Sequence, residues 1–435
     1  ITELKIPGSV GTINASLLTS CISTLEKIIL EDGTDFTIDS GAFQGSNLTS
    51  LTIPYGVTNL IIDEYALNGS NLTSLTIPDS VTNLTIGDKA FYESNLASLT
   101  IPNSVTNLTI GSNAFDNCKS LTSLTISNSI TDLTIGERAF FYCTNLTSLI
   151  ISNSVTNLKI SDNAFLSSKL TSLTIPNSVT DFTIGSYAFS SCPYFASLII
   201  PDSVTNLAIG SNAFYGSNLT SLTIPDSVTD LTISDYAFSS TKLASLTISN
   251  SITDLTIGSY AFSNCSSLTS LTIPDGVTKL TIGGSAFYYC TKLTSLTIPD
   301  SITTLKIGSY AFSNCSSLTS LTIPDGVATN GIASNTGLNL VTASNTANRI
   351  LKVCFYNREN DTNSLPKGLN TINKILEAAP PISDINYTFD LSSNIVYPVI
   401  TLNDLTKSSN TRWIVKLSDG EYKWNGSNKW ELTSK

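Results

Sequence analysis

The chain has 435 residues, with 22 basic and 33 acidic side chains giving a net charge of −11. That balance excludes a basic nucleic-acid binder, and no apolar run reaches the roughly 18 residues needed to cross a bilayer. Histidine is absent altogether, which removes every Ser-His-Asp, Cys-His, zinc-histidine and histidine acid/base mechanism at once.

The first 30 residues are a degenerate start. There is no methionine, and Ile1-Thr2-Glu3-Leu4 opens in mid-pattern, which predicts a processed or trimmed chain with any signal segment already removed. Leu4-Lys5-Ile6-Pro7 and the region of Ile28 keep the period of the downstream repeat but lose its detail. Ser20 to Lys27 is expected to form a short helical turn. A terminal unit must cover the open core, so residues 1–30 are read as a degenerate repeat or cap.

From residue 31 to 327 one unit repeats. The string Leu-Thr-Ser-Leu-Thr-Ile-Pro returns in steps of 24 or 25 residues, its second leucine running from Leu51 to Leu321. With the degenerate copies this predicts about fourteen coils, and leucines at offsets of three and two match leucine-rich-repeat spacing. In one unit Leu121, Leu124 and Ile126 alternate with Ser123 and Thr125, so the apolar set faces in and the hydroxyls face out. A second alternating stretch, such as Leu108-Thr109-Ile110, comes next, and then Ala-Phe. The Ala-Phe column runs from Phe43 to Phe312 with Leu67 as its substitute, which predicts an internal aromatic spine. Proline after the strand, as at Pro54, Pro78 and Pro102, ends the ladder because it has no N–H to donate.

Each 25-residue step carries a cysteine: Cys118, Cys143, Cys192, Cys265, Cys290 and Cys315. The longer loop is expected to turn one small apolar side chain inward, with cysteine filling that slot. Stacked at about 4.8 Å, successive thiols are close enough for a disulfide, but a ladder of three cannot pair fully and the buried free thiol is favoured. A thiol column with no CxxC pair is not a zinc site.

The unit Leu-xx-Leu-x-Ile-Pro-xx-Val-xx-Leu-x-Ile-Gly-xx-Ala-Phe-xx-Cys resembles the BspA-like leucine-rich repeats of bacterial and protist surface proteins over roughly three quarters of the chain. The resemblance implies a right-handed solenoid, secreted or surface-attached, used for adhesion or ligand contact, with no catalytic residue. The units depart from the family in an inserted Thr-Asn or Thr-Asp before the second strand and in a cysteine present in only half of them.

Outward on the first strand serine recurs from Ser50 to Ser320, and threonine comes after it except at Ile150 and Ile199. Such a face is either a stabilising hydroxyl ladder or a contact surface, and a regular threonine array also suggests ice binding. After the proline comes Asp or Asn, a turn former. The stacked trio Asp275, Asp300 and Asp325 is the candidate calcium site, through carboxylate oxygens. Tyrosines beside Ala-Phe, including Tyr236, Tyr260 and Tyr310, are aromatic residues of the kind enriched at binding hot spots.

Residues 328–347 read as a Gly/Asn/Thr/Ser-rich linker or C-terminal cap, the repeat stopping after Val327. A small domain over 348–435 is expected to contain strands near Ile350 to Tyr356, Ile395 to Thr401 and Trp413 to Leu417. It should also hold a helix near Leu369 to Ala378, ended by Pro380-Pro381, and a hairpin turning at Asp419-Gly420. All three tryptophans lie in its last 23 residues, and the run from Asp419 to Trp430 looks like the short aromatic endings of phage tail and bacterial surface proteins.

The fold expected is a leucine-rich-repeat solenoid, α+β leaning to all-β, with a small β-rich C-terminal domain. The expected function is extracellular or cell-surface binding to a host or cell-surface protein, matrix or glycan through the repeat surface. A phage, viral or bacterial fibre-type receptor-binding protein read by the C-terminal aromatic domain, and a structural surface-layer spacer, are the alternatives. No cofactor is expected. An enzyme would have to rest on paired carboxylates, and Glu359, Asp361, Asp384 and Glu421 form no recognisable pair, so none is expected. The candidate ligand contacts are Ile150, Ile199, Tyr236, Tyr260, Tyr310, Trp424 and Trp430.

Overall fold

The computed structural model describes residues 2–18, 20–126, 128–318, 320–322, 331–333, 336, 386–390, 412–417, 420–424 and 430–434. The chain divides into two compact units, Ile1–Val228 and Thr229–Lys435.

In the first unit each coil contributes two short strands to two parallel sheets. One sheet opens with Glu3–Pro7 and Lys27–Glu31 and continues through three-residue strands such as Ser50–Thr52, Ser98–Thr100 and Ser148–Ile150. The other runs from Thr12–Ile13 through four-residue strands such as Asn83–Ile86 and Asn107–Ile110. Equivalent residues pair, Leu84 with Leu108 and Leu133 with Leu158, because any slip would turn the apolar set toward water. Ser172–Thr174 and Ser197–Ile199 continue the short-strand face with a ladder of their own.

The Ala-Phe turn is held differently. Alternate N–H groups point to the next coil, Tyr65 to Asp88, Leu67 to Ala90 and Gly69 to Tyr92, while Ala66, Asn68 and Ser70 bond back three residues within their own coil. Two residues per coil then take left-handed backbone, for instance Lys89 at φ 54° and Glu93 at φ 56°. The phenylalanines between them are fully buried and stack coil upon coil, Phe91 on Phe115 at 5.1 Å and Phe115 on Phe140 at 5.1 Å, nearly parallel, within the favoured range for aromatic pairs.

Two expectations about the N-terminus change. The helix lies at Ala15–Leu18, ahead of Ser20 to Lys27, because Asn14 caps it: its side-chain oxygen accepts the Leu17 N–H at 3.2 Å and satisfies an otherwise orphaned donor. Residues 20–24 form tight turns, and Lys27–Glu31 is a strand, drawn into the sheet by pairing Leu4 with Ile28. Regular helix among the described residues is confined to this turn and a three-residue segment, Gly8–Val10, so the fold is almost all-β, as the lean of the sequence toward all-β implied.

In the second unit the same coil recurs, with strands from Asp230–Ile233 to Thr304–Ile307 and from Ser245–Thr247 to Ser320–Thr322. The backbone stack outlasts the sequence motif. Ile332 bridges Ile307 in parallel, the Ala333 N–H donates to the Ile307 carbonyl at 2.8 Å, and the Phe312 N–H donates to Thr336 at 2.9 Å. A ladder needs only backbone groups, so these bonds form in the 328–347 segment without the leucines and phenylalanine of the repeat.

Beyond it, Asn386–Asp390, Arg412–Leu417, Gly420–Trp424 and Trp430–Ser434 form a four-stranded sheet. The first pair is parallel and the others antiparallel. The expected hairpin joins Arg412–Leu417 to Gly420–Trp424, and the strand at Asn386–Asp390 had no counterpart among the elements expected from sequence. The elements expected near 350–356, 369–378 and 395–401, and the 337–347 part of the expected linker, lie outside the described residues.

Candidate functional site

The short-strand face of the first unit holds a groove of about 660 Å³. Its floor is one register column, Thr76 beside Thr100, Thr100 beside Thr125 and Thr125 beside Ile150. The turn residues Asp79, Asn103 and Asn128 also line it. The three-residue strands fix this geometry: leucine is buried at the centre of each strand, which leaves the serine and threonine on either side facing out. Ile150 replaces threonine in the column and is 55% exposed. Ile199 does the same beside Thr174, at 56%. Hydroxyls give the floor hydrogen-bonding capacity without charge, and the isoleucines give it apolar projections.

The other sequence-predicted residues lie elsewhere. Tyr236, Tyr260 and Tyr310 are exposed in the second unit, and the rings of Tyr236 and Tyr260 stack at 4.7 Å, nearly parallel. Trp424 and Trp430 are register partners in the C-terminal sheet. Asp275 and Asp300 lie in exposed turns and Asp325 is outside the described residues. Among the described residues no three acidic, cysteine or histidine side chains are grouped so as to hold a metal ion.

The described cysteines are free and buried. Among the described coils their slot also occurs without the longer loop. In 24-residue coils a hydroxyl takes it: Ser94 lies 3.5 Å from Cys118, Ser168 3.5 Å from Cys192 and Thr241 3.4 Å from Cys265. Burial pushes the Cys118 thiol up to about 12 and the Cys192 and Cys265 thiols to about 11, so these are poor nucleophiles.

Two features were not among the sequence-predicted sites. Tyr55, 81% exposed, stands one coil before Asp79 in the post-proline column, where a broken Asp/Asn pattern marked it. A charged cluster also interrupts the Ala-Phe side. Arg138 lies 3.6 Å from Asp116 and 3.9 Å above the Phe141 ring, and Asn117 donates to Glu93 at 3.0 Å. Burial raises the Asp116 carboxyl to about 6 against the opposing pull of Arg138. Lys89 caps the Tyr65 ring at 4.7 Å and hydrogen-bonds its hydroxyl.

The chain matches the family described as BspA type leucine rich repeat region, in six copies, over residues 1–85, 60–183, 182–306 and 280–394. No curated protein matches it. Among solved structures it is similar to a leucine-rich repeat protein from Bacteroides ovatus, with 21% identity, TM-score 0.52 and coverage of 82% of this chain and 84% of that one. It also aligns with a leucine-rich repeat protein from Eubacterium ventriosum (23% identity, TM-score 0.39, coverage 75% and 80%). A third is a leucine rich cell surface protein from Faecalibacterium prausnitzii (23% identity, TM-score 0.34, coverage 73% and 86%).

Proposed function

The chain belongs to the BspA-type leucine-rich repeat family, and on that premise we propose that it is a non-enzymatic binding protein of the cell surface, adhering to a protein partner through the short-strand face of its first unit. The observation that carries this reading is the hydroxyl-floored groove, into which Ile150 projects from a threonine column. An exposed isoleucine buried on contact contributes about 1.5–3 kcal/mol, which makes Ile150 the apolar anchor of a contact on this face. The absence of histidine and the inert thiols agree with a role in contact rather than turnover.

The test is binding of the purified full chain to immobilised matrix and serum proteins, with Ile150→Ser and Ile199→Ser beside the parent. Capture of at least one protein is expected, weakened about tenfold or more by Ile150→Ser. Capture that neither substitution alters would remove the short-strand face as the adhesive surface.

A further inference from the structure

Three consecutive turns in the second unit differ at one place. Gly258-Ser259-Tyr260-Ala261-Phe262 and Gly308-Ser309-Tyr310-Ala311-Phe312 flank Gly283-Gly284-Ser285-Ala286-Phe287, so the middle turn has lost both a serine side chain and a tyrosine ring. Its backbone has not changed. Ser285 keeps φ at 54°, against 56° at Tyr260 and 59° at Tyr310, and its N–H donates to the Ser309 carbonyl at 2.8 Å as that of Tyr260 donates to Gly284 at 3.0 Å. In the other described coils after the first this left-handed position holds a longer side chain, Tyr, Lys, Asn or Arg. The middle coil is thus a missing rung in a tyrosine column whose previous two members, Tyr236 and Tyr260, stack at 4.7 Å.

The size of the gap is set by the coil spacing. Phe262, Phe287 and Phe312 step by 5.3 and 5.4 Å through the same three coils, so Tyr260 and Tyr310 stand about 10 Å apart, two strand spacings. A ring centred between them lies about 5 Å from each, inside the favoured range for contact with an aromatic face. At the middle turn a Cβ placed on Gly284 would come into contact with the Ser309 carbonyl, at 3.4 Å, and Ser285 is buried, so the two positions supply backbone and one short side chain where the neighbouring turns carry a ring. Both flanking tyrosines are exposed, Tyr310 at 49%, and Tyr289, 44% exposed, stands at the other left-handed position of the middle coil.

We propose that the gap between Tyr260 and Tyr310, over Gly284 and Ser285, is a saccharide-binding slot that takes one neutral pyranose with equatorial hydroxyls. Such a ring carries C–H bonds on both faces, which meet the electron-rich faces of two tyrosines, and hydroxyls on its rim, which meet the serines and tyrosine hydroxyls around the slot. Neutrality comes from the lining, since none of the turns 258–265, 283–290 and 308–315 contains a charged residue. The site is separate from the groove of the first unit.

The experiment is titration of the full chain with a β-1,4-linked glucose tetrasaccharide, read by calorimetry and tyrosine fluorescence. A galactose-configured tetrasaccharide, with one axial hydroxyl, is the control. Ser285→Tyr restores the rung, and because tyrosine already occupies that backbone position in both neighbouring coils the fold is expected to survive. Saturable binding of the glucose form is expected, about tenfold weaker for the control and for Tyr310→Ala and lost in Ser285→Tyr. No binding by the parent chain, or binding that Ser285→Tyr leaves unchanged, would overturn the proposal. So would equal loss with Ile150→Ser, which would move the saccharide to the first unit's groove.

Discussion

The thiol of Cys143 donates a hydrogen bond to the backbone carbonyl of Phe115, 3.0 Å away in the preceding coil. The same bond recurs from Cys118 to Phe91, Cys192 to Phe165, Cys265 to Phe238, Cys290 to Phe262 and Cys315 to Phe287. Each thiol ties one coil to the aromatic turn of the one before.

These bonds need the protonated thiol, which makes the protein sensitive to alkali. Burial raises the thiols above the ordinary 9.0, to about 12 for Cys118 and Cys315 and about 11 for Cys192 and Cys265. Below pH 9 both folded and unfolded chains hold the proton and the contribution is complete. Above it only the unfolded chain ionises, so stability falls by on the order of 1 kcal/mol per pH unit for each such thiol until the folded value is reached. Urea midpoints from pH 8 to 10.5 are expected to drop steeply in the parent and less steeply in Cys118→Ser, which puts serine where the preceding coil already has Ser94. Equal slopes would contradict the link between thiol burial and alkaline loss.

The aromatic spine predicts a graded response. Phe140 stacks on Phe115 at 5.1 Å and on Phe165 at 5.2 Å, with no exposure. Phe140→Ala opens a cavity bounded by rigid rings and is expected to cost about 3–5 kcal/mol. Phe140→Leu should cost less than about half of that, because Leu67 fills the same column and is also fully buried. Chemical denaturation measures both, and a leucine variant as unstable as the alanine one would show that ring stacking, rather than volume, holds the column.

What the sequence made legible was whatever repeats. The Leu-x-Ile alternation set strand faces and register, and the phenylalanine column set the spine, because burial of an identical side chain every coil leaves an identical mark. The serine in the cysteine slot was hidden, although it stands three residues after the phenylalanine just as the cysteine does (Phe91 and Ser94, Phe115 and Cys118), because a hydroxyl does not read as core. The left-handed turn positions were partly hidden: asparagine or glycine signals some of them, as at Asn113, Asn163 and Gly216, while others carry Tyr, Lys or Arg. Ile150 and Ile199 were visible as interruptions of a column, but the groove beside Ile150 depends on the depth of floor between chemically similar coils, which no single coil encodes.

Asp116 should couple stability to mild acid. Its side chain is 6% exposed and 3.6 Å from Arg138, and burial raises its carboxyl from 3.8 to about 6 despite that cation. Between pH 4 and 6 the folded chain holds a proton that the unfolded chain has released, so the native state loses stability as pH rises through this window. Asp116→Asn carries no such penalty. It is expected to be more stable than the parent by on the order of 1–3 kcal/mol at pH 7, with the gap narrowing toward pH 4. Paired denaturation curves at the two pH values check this, and a gap that does not change with pH would place the Asp116 titration elsewhere.

The short-strand face proposed for adhesion is expected to tolerate substitution as a fold while failing as a surface. Ile150→Thr and Ile199→Thr insert the residue that the same column carries at Thr125 and Thr174, the register partners of Ile150 and Ile199. Threonine suits an exposed strand position as well as isoleucine does, and neither isoleucine is buried, so urea midpoints should move by the equivalent of about 0.5 kcal/mol or less. Capture of the protein partner by the same samples should weaken about tenfold, because the lost area is apolar surface that is buried only on contact. The two readouts separate a surface from a scaffold: a stability loss matching the binding loss would mean that the isoleucines brace the sheet, and that adhesion fails because the coils loosen.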